Sequence, residues 1–317
     1  MSCCKSEIPD GIKPKVRQDE PVSLFSESKE EVLEKIDYSN LNITEAVQHG
    51  ASQRFHELLE AGVSPHTTEG ESITLLHWAA LNDRREEAGV LVERGVSVDS
   101  LGGTLHSTPL HWAAHAGALS VMSLLVSQGA RLDLPDRDGC LPIHLAAGQG
   151  STRCLVYLVA RGQHVDTLDR EGRTPLMIAL ARSESHDTVR QLVRLGASIS
   201  CLDHRNNNPL HWAVDSGKPR SVNSLVNISQ QDFCKERIRW EDKNNQGQSA
   251  LDVINREKRY MLSGLSGQVK HYIRKDIMLR KFNNSIRERP TVALYIITLS
   301  LAGSDRSEVT HIRQAIC

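Results

Sequence analysis

The chain has 317 residues, enough for about two domains or for one repeat array. Its 39% hydrophobic content and 21 glycines fall in the range of soluble folded domains, which excludes wholesale disorder. Thirty-eight Lys and Arg against 39 Asp and Glu give a net charge of -1, so no global field draws in nucleic acid, and 4% aromatic content supplies few rings for base stacking or a deep apolar pocket.

Residues 1–36 mix Pro, Ser, Glu and Lys with no apolar period and read as a disordered arm, with SKEEVLEKI as its one short helical stretch. MSCCKSEIPDGIKPK has no apolar signal segment, and the odd set Cys3, Cys4, Cys140, Cys154, Cys201, Cys234 and Cys317 is too scattered for a disulfide framework. A reducing, cytoplasmic location is expected. Cys3 and Cys4 are candidates for lipidation, although no transmembrane or myristoylation signal stands beside them.

Residues 37–260 are self-similar. LLHWAA at 75–80, PLHWAA at 109–114, PIHLAA at 142–147, PLMIAL at 175–180 and PLHWAV at 209–214 put His77, His111, His144, Met177 and His211 at steps of 34, 33, 33 and 34. Gly62, Gly95, Gly129, Gly162 and Gly196 form a second ladder at steps of 33, 34, 33 and 34. Within one unit, Thr108 is suited to cap a helix that Pro109 begins, and Leu119, Met122, Leu124 and Leu125 recur at helical spacing. Gly129 then supplies a left-handed stop, and Asp136–Gly139 and Asp169–Gly172 supply tight turns between units. Ile43, Ala46 and Gly50 align with Leu76, Ala79 and Asp83, which gives a first, capping unit without the Pro and His. About eight extra residues fall within Ser216–Asn245, around QQDFCKERIRWEDKN. The reading is all-α: about seven helix-turn-helix units whose neighbours bury a continuous core.

The segment 261–290 is basic and partly amphipathic, and Arg274–Arg289 suits contact with a membrane surface. In the last segment, 291–317, the apolar run TVALYIITLSLAG at 291–303 has 13 residues, short of the roughly 17 that cross a bilayer.

The 33-residue period and Thr108–Ala113 identify the array as an ankyrin-repeat solenoid. More narrowly, DYSNLNITEAVQHGASQRFHELLEAG, LLHWAALNDR, LGGTLHSTPLHWAA and GCLPIHLAAGQG resemble the ankyrin domain of the huntingtin-interacting DHHC palmitoyltransferases over roughly residues 37–290. The Leu101-Gly102-Gly103 turn carries much of that likeness, because its loop is one residue longer than the counterpart in the next repeat. The resemblance implies that the chain grips an extended client segment, an aliphatic or β-branched pair followed two residues later by Gln-Pro. It assigns the peptide-bonding Asn to Asn82 and the proline-receiving indole to Trp112. It also implies an association with Golgi or vesicle membranes wherever a membrane half is attached. The family's acyl-enzyme forms on an Asp-His-His-Cys motif, which this sequence does not contain.

Alternatives stand beside that reading. Trp78, Trp112 and Trp212 occupy one repeat position, where periodicity alone leaves both helix packing and a concave groove open; Trp78 and Trp212 are assigned to packing. Asn82, at a helix end, also suits a plain terminator. No cofactor or metal is expected, since inner helices about 8–10 Å apart cannot close a tetrahedral site, and the repeat histidines are expected to bond the adjoining Thr and loop backbone. No nucleophile signature accompanies the His, Cys and Asp residues, so no catalytic residue is assigned. The competing functional readings are a truncated or fragmentary palmitoyltransferase, with 291–303 opening its first membrane helix, and a general ankyrin scaffold.

Overall fold

A computed structural model describes residues 40–257, apart from 184, 232, 233, 235 and 237, and residues 264–271, apart from 268. The arm at 1–36 with Cys3 and Cys4, the basic run Arg274–Arg289 and the apolar run 291–303 lie outside the described residues.

The first compact unit, ending at Lys258, is a stack of helix pairs. The pairs are α1 (Ile43–His49) with α2 (Ser52–Glu60), α3 (Leu75–Leu81) with α4 (Arg85–Glu93), α5 (Pro109–Ala116) with α6 (Leu119–Ser127), and α7 (Pro142–Gln149) with α8 (Thr152–Ala160). Then come α9 (Pro175–Arg182) with α10 (His186–Arg194), and α11 (Pro209–Asp215) with α12 (Pro219–Ser229). Helix α13 (Ala250–Glu257) opens a seventh repeat. One short antiparallel hairpin, β1 (Thr68–Glu69) with β2 (Ile73–Thr74), precedes α3. In the second unit, Leu265 and Val269 are buried.

The expected periodicity becomes two layers. Inner helices α3, α5, α7, α9 and α11 pack successively on one another, and outer helices α4, α6, α8, α10 and α12 do the same behind them. Leu76, Ala79 and Ala80 of α3 are buried, as are the equivalent Leu110, Ala113 and Ala114 of α5 and Ile143, Ala146 and Ala147 of α7. The paired alanines let the inner helices approach closely, and each fully buried Leu or Ile adds about 1.5–3 kcal/mol of burial. Thr108 caps α5, Pro109 stands at its first position, and Gly129 has φ +87° beyond the end of α6, as the sequence requires. Asp83 takes the left-handed turn that Gly50 makes one repeat earlier, with φ +53°. Its carboxylate is fixed there by the Val121 N–H at 3.1 Å and the Ser120 hydroxyl at 3.2 Å.

The repeat histidines join units together. The Thr74 N–H donates to Nδ1 of His77 at 3.1 Å, and Nε2 of the ring lies 2.9 Å from the Ser107 carbonyl in the following loop. His111 repeats this with the Thr108 N–H at 3.2 Å and the Cys140 carbonyl at 3.0 Å. In α7 the cap position is Leu141, which has no side-chain oxygen, and the Leu141 N–H donates to Nδ1 of His144 at 3.0 Å. A neutral ring protonated on Nε2 satisfies both partners at once.

The loops between repeats, here called fingers, carry a second ladder. Oδ1 of Asp136 accepts the N–H groups of Asp138 and Cys140, Oδ1 of Asp169 those of Glu171 and Arg173, and Oδ1 of Asp203 those of Arg205 and Asn207, all at 2.7–3.0 Å. Neighbouring fingers are tied by one main-chain bond per step. The N–H of Gly103 donates to Glu71, Arg137 to Leu105, Arg170 to Asp138, His204 to Glu171 and Asn245 to Arg205. The insertion after α12 is fastened by Glu236, whose Oε2 accepts from the Ser198 hydroxyl, the Ile199 N–H and the Ser200 hydroxyl at 2.8–2.9 Å.

Candidate functional site

Asn82 is the residue that ends α3, with φ -101° and ψ 11°, and its side chain is exposed. Its Nδ2 donates to the Trp78 carbonyl at 2.9 Å, so the amide terminates the helix and keeps its oxygen toward solvent. The turn that presents it is held firmly: besides the Asp83 bonds to α6, Arg85 donates to the Ser120 carbonyl at 2.7 Å and the Ser123 hydroxyl at 3.0 Å. An exposed amide on a pinned turn is suited to recognise a peptide group.

Trp112, one inner helix on, is only 2% exposed. Its ring meets His77 at 5.3 Å and 68°, and Trp78 at 5.6 Å and 85°, both edge-on. Trp78 therefore joins the two residues picked from the sequence: its carbonyl receives Asn82 and its indole receives Trp112. Trp78 is half-buried, and its indole N–H is buried with no acceptor among the described residues. Sequence reasoning set Trp78 aside as packing; the orphaned donor could not be read from its position in the repeat.

The Leu101-Gly102-Gly103 turn covers this aromatic cluster. A Cβ on Gly102 would stand 2.9 Å from the His77 ring and 3.0 Å from the Ser72 carbonyl, so only glycine fits. Gly103 has φ +74°, and a Cβ there would lie 3.7 Å from the Trp112 ring. On its other side Gly103 lines a cleft of about 460 Å³ with Glu71, Ser72, Leu101, Thr104, His106 and Arg137. The longer loop thus stands between this cleft and the buried indole.

Trp212 is half-buried. Its Nε1–H donates to Asp203 at 3.0 Å, and the Arg173 guanidinium lies 5.7 Å over its ring, itself bound to Asp169 at 2.7 Å. These partners account for the residue within the repeat. Among the described residues no group of three His, Cys, Asp or Glu side chains is placed to hold a metal, and no helix is long and apolar enough to cross a membrane.

The family description "Ankyrin repeats (3 copies)" matches residues 43–138 and 143–237. The chain is 44% identical to "Palmitoyltransferase Hip14" of Drosophila melanogaster over 206 residues, 65% of this chain and 32% of that protein. It is 40% identical to human "Palmitoyltransferase ZDHHC17" over 272 residues, 84% of this chain and 42% of the relative. Mouse "Palmitoyltransferase ZDHHC13" is 37% identical over 228 residues, 72% and 35% of the two lengths. The chain thus spans less than half the length of each of these relatives. Among solved structures, the human ASB11 ankyrin repeat domain superposes with a TM-score of 0.60 at 24% identity, covering 72% of this chain and 99% of that one, a likeness of fold.

Proposed function

Because the chain belongs to the ankyrin-repeat family, we propose that it is a protein-binding module that recruits clients through short segments containing an aliphatic or β-branched pair and, two residues later, Gln-Pro. The observation that carries this reading is the shared connection of Asn82 and Trp112 to Trp78, which combines an exposed amide on its carbonyl with an indole N–H that has no acceptor among the described residues. An extended, proline-containing segment is partly pre-organised; its main-chain groups suit Asn82 and the Trp78 N–H, and its proline suits an indole edge. Reaching Trp112 requires the Gly102–Gly103 turn to give way, so affinity is expected in the micromolar range of short segments that lose entropy on docking. As in the named relatives, attachment to a membrane half would make the module a presenter of clients for S-acylation. Catalysis would then belong to that half.

The test is a titration of a fluorescent peptide of this composition. Asn82→Ala is expected to cost about 1–2 kcal/mol by stranding a peptide polar group. Trp112→Phe, which keeps an aromatic ring in the packing, should weaken binding in the same direction, and Trp212→Phe should leave it unchanged. Equal affinity for wild type, Asn82→Ala and Trp112→Phe would remove the residue assignment and leave a scaffold for other partners.

A further inference from the structure

Of the four exposed large aliphatic side chains among the described residues, three fall in one row, and the fourth, Val156, lies on α8. Leu101, Leu168 and Leu202 are 51%, 55% and 48% exposed, and all three hold the same repeat position, immediately before the turn residue of a finger. Exposed Pro135 fills that position in the repeat between Leu101 and Leu168. Single exposed leucines need no explanation, whereas an apolar row held over four successive repeats marks a binding face.

A row of charge runs beside it. Arg137, Arg170 and His204 each stand two residues beyond the row position, with Arg205 next in the last finger, and all four are exposed. Arg137, Arg170 and Arg205 enter none of the ion pairs among the described residues. The carboxylates of the same turns are largely committed: Asp136, Asp169 and Asp203 are buried on the backbone N–H groups described above, and Glu171 lies 3.5 Å from Arg173. Asp138, half-buried in the Arg137 turn, is also partnered, and exposed Glu71 stands at the second-repeat end of the row, beside Leu101 and Arg137. From the fourth to the sixth repeat the face is therefore apolar and locally positive, on a chain whose net charge is -1.

We infer that the fingers of the third to sixth repeats bind an extended acidic protein segment with an apolar residue at every third position. The period follows from two geometries. Stacked repeats advance by roughly the 8–10 Å of adjacent packed helices. A polyproline II segment returns the same side chain to one face every three residues, about 9.3 Å along its axis. Its apolar residues then meet Leu101, Pro135, Leu168 and Leu202 in turn, and acidic residues between them meet the arginines. Nucleic acid fits poorly, because the row offers aliphatic side chains and no rings for stacking. This face does not depend on the Gln-Pro reading, which concerns the buried aromatic cluster beneath the second and third fingers.

The experiment uses the full chain and two labelled probes, (Leu-Glu-Pro)5 and (Leu-Lys-Pro)5, in low-salt fluorescence polarisation. The wild type should bind the acidic probe at least tenfold tighter than the basic one. Arg137→Glu combined with Arg170→Glu should reverse that preference, and Leu168→Ser combined with Leu202→Ser should weaken the acidic probe at least fivefold. All these side chains are exposed, so helical circular dichroism should match wild type and serves as the folding control. Asn82→Ala should bind the acidic probe as wild type does. Equal binding of the two probes, a preference that survives charge reversal, or loss of the acidic probe in Asn82→Ala overturns the inference; the last result would place the peptide in the inner groove.

Discussion

Trp78 stands edge-on to Trp112, with ring centroids 5.6 Å apart and planes at 85°, and the Trp78 indole N–H has no acceptor among the described residues. Removing the deeper ring empties a volume closed by His77, Trp78 and the Gly103 turn. Trp112→Ala is therefore expected to cost about 3–5 kcal/mol of stability, the range for a buried large aromatic. Trp78→Ala, half-buried and relieved of an unpaired donor, should cost less. Thermal melts followed by circular dichroism decide it, and a Trp112→Ala midpoint within a degree of wild type would show that the ring is not part of the core.

Replacing Gly103 with Ala forces a side chain onto φ +74° and brings it against Trp112. A loss of about 1 kcal/mol is expected. If the turn is the cover of the indole, tryptophan fluorescence should also shift to the red as water reaches the ring. An unchanged spectrum in a destabilised protein would separate the two effects.

Stability should fall on acidification below pH 6.5. Burial lowers the pKa of His77 and of His111 from 6.5 to about 4, opposed in part by their bonds to the Ser107 and Cys140 carbonyls. A base with a lowered folded pKa is neutral in the fold, so its contribution is whole above 6.5 and is lost as pH drops from 6.5 toward 4. Burial raises Asp136 from 3.8 to about 6, which works in the other direction, since the folded carboxyl keeps a proton that the unfolded one releases. Two histidines against one aspartate leave a slope of about 1.4 kcal/mol per pH unit; the lowered His144 and His211 add to it, and Asp166, raised by burial, subtracts. The midpoint should drop by several degrees between pH 7.5 and pH 5, and His111→Gln should flatten the dependence. A pH-independent midpoint would mean that the imidazoles are open to water.

Glu236 accepts three bonds and ties the insertion to the loop at Ser198–Ser200, while Asn208 holds it a second time through the Arg239 carbonyl. Glu236→Ala should speed trypsin cleavage in the segment from Gln230 to Lys243 severalfold and change the global melt by no more than about 1–2 kcal/mol. Cleavage at the wild-type rate would show that the insertion is anchored elsewhere.

The array was legible because two features repeat at one period. Thr108-Pro109 states where an inner helix starts, and Gly129 where an outer helix ends, and both act through local backbone geometry that sequence carries openly. Asp83 was legible only by alignment to Gly50, since an Asp does not advertise a left-handed turn. The site was half legible. Asn82 was found by resemblance, while the burial of Trp112 under Gly102 and Gly103 depends on a loop folding back across a repeat boundary, a tertiary fact with no local signature. Leu101, Pro135, Leu168 and Leu202 stood in the sequence at the repeat period, but exposure had to be seen before the spacing meant anything.

Every step from finger to finger has a main-chain bond, from Gly103 to Glu71 through Asn245 to Arg205, to which the repeat histidines and the Asn206–Asn245 and Asn244–Asn207 side-chain bonds add. The exposed side chains of Arg137, Leu168, Arg170 and Leu202 carry none of these ties and are spectators of the architecture they ride on. Such a surface can exchange its chemistry residue by residue, arginine for glutamate or leucine for serine, without loosening the frame, and descendants of one array can drift to different clientele while their skeletons stay superimposable.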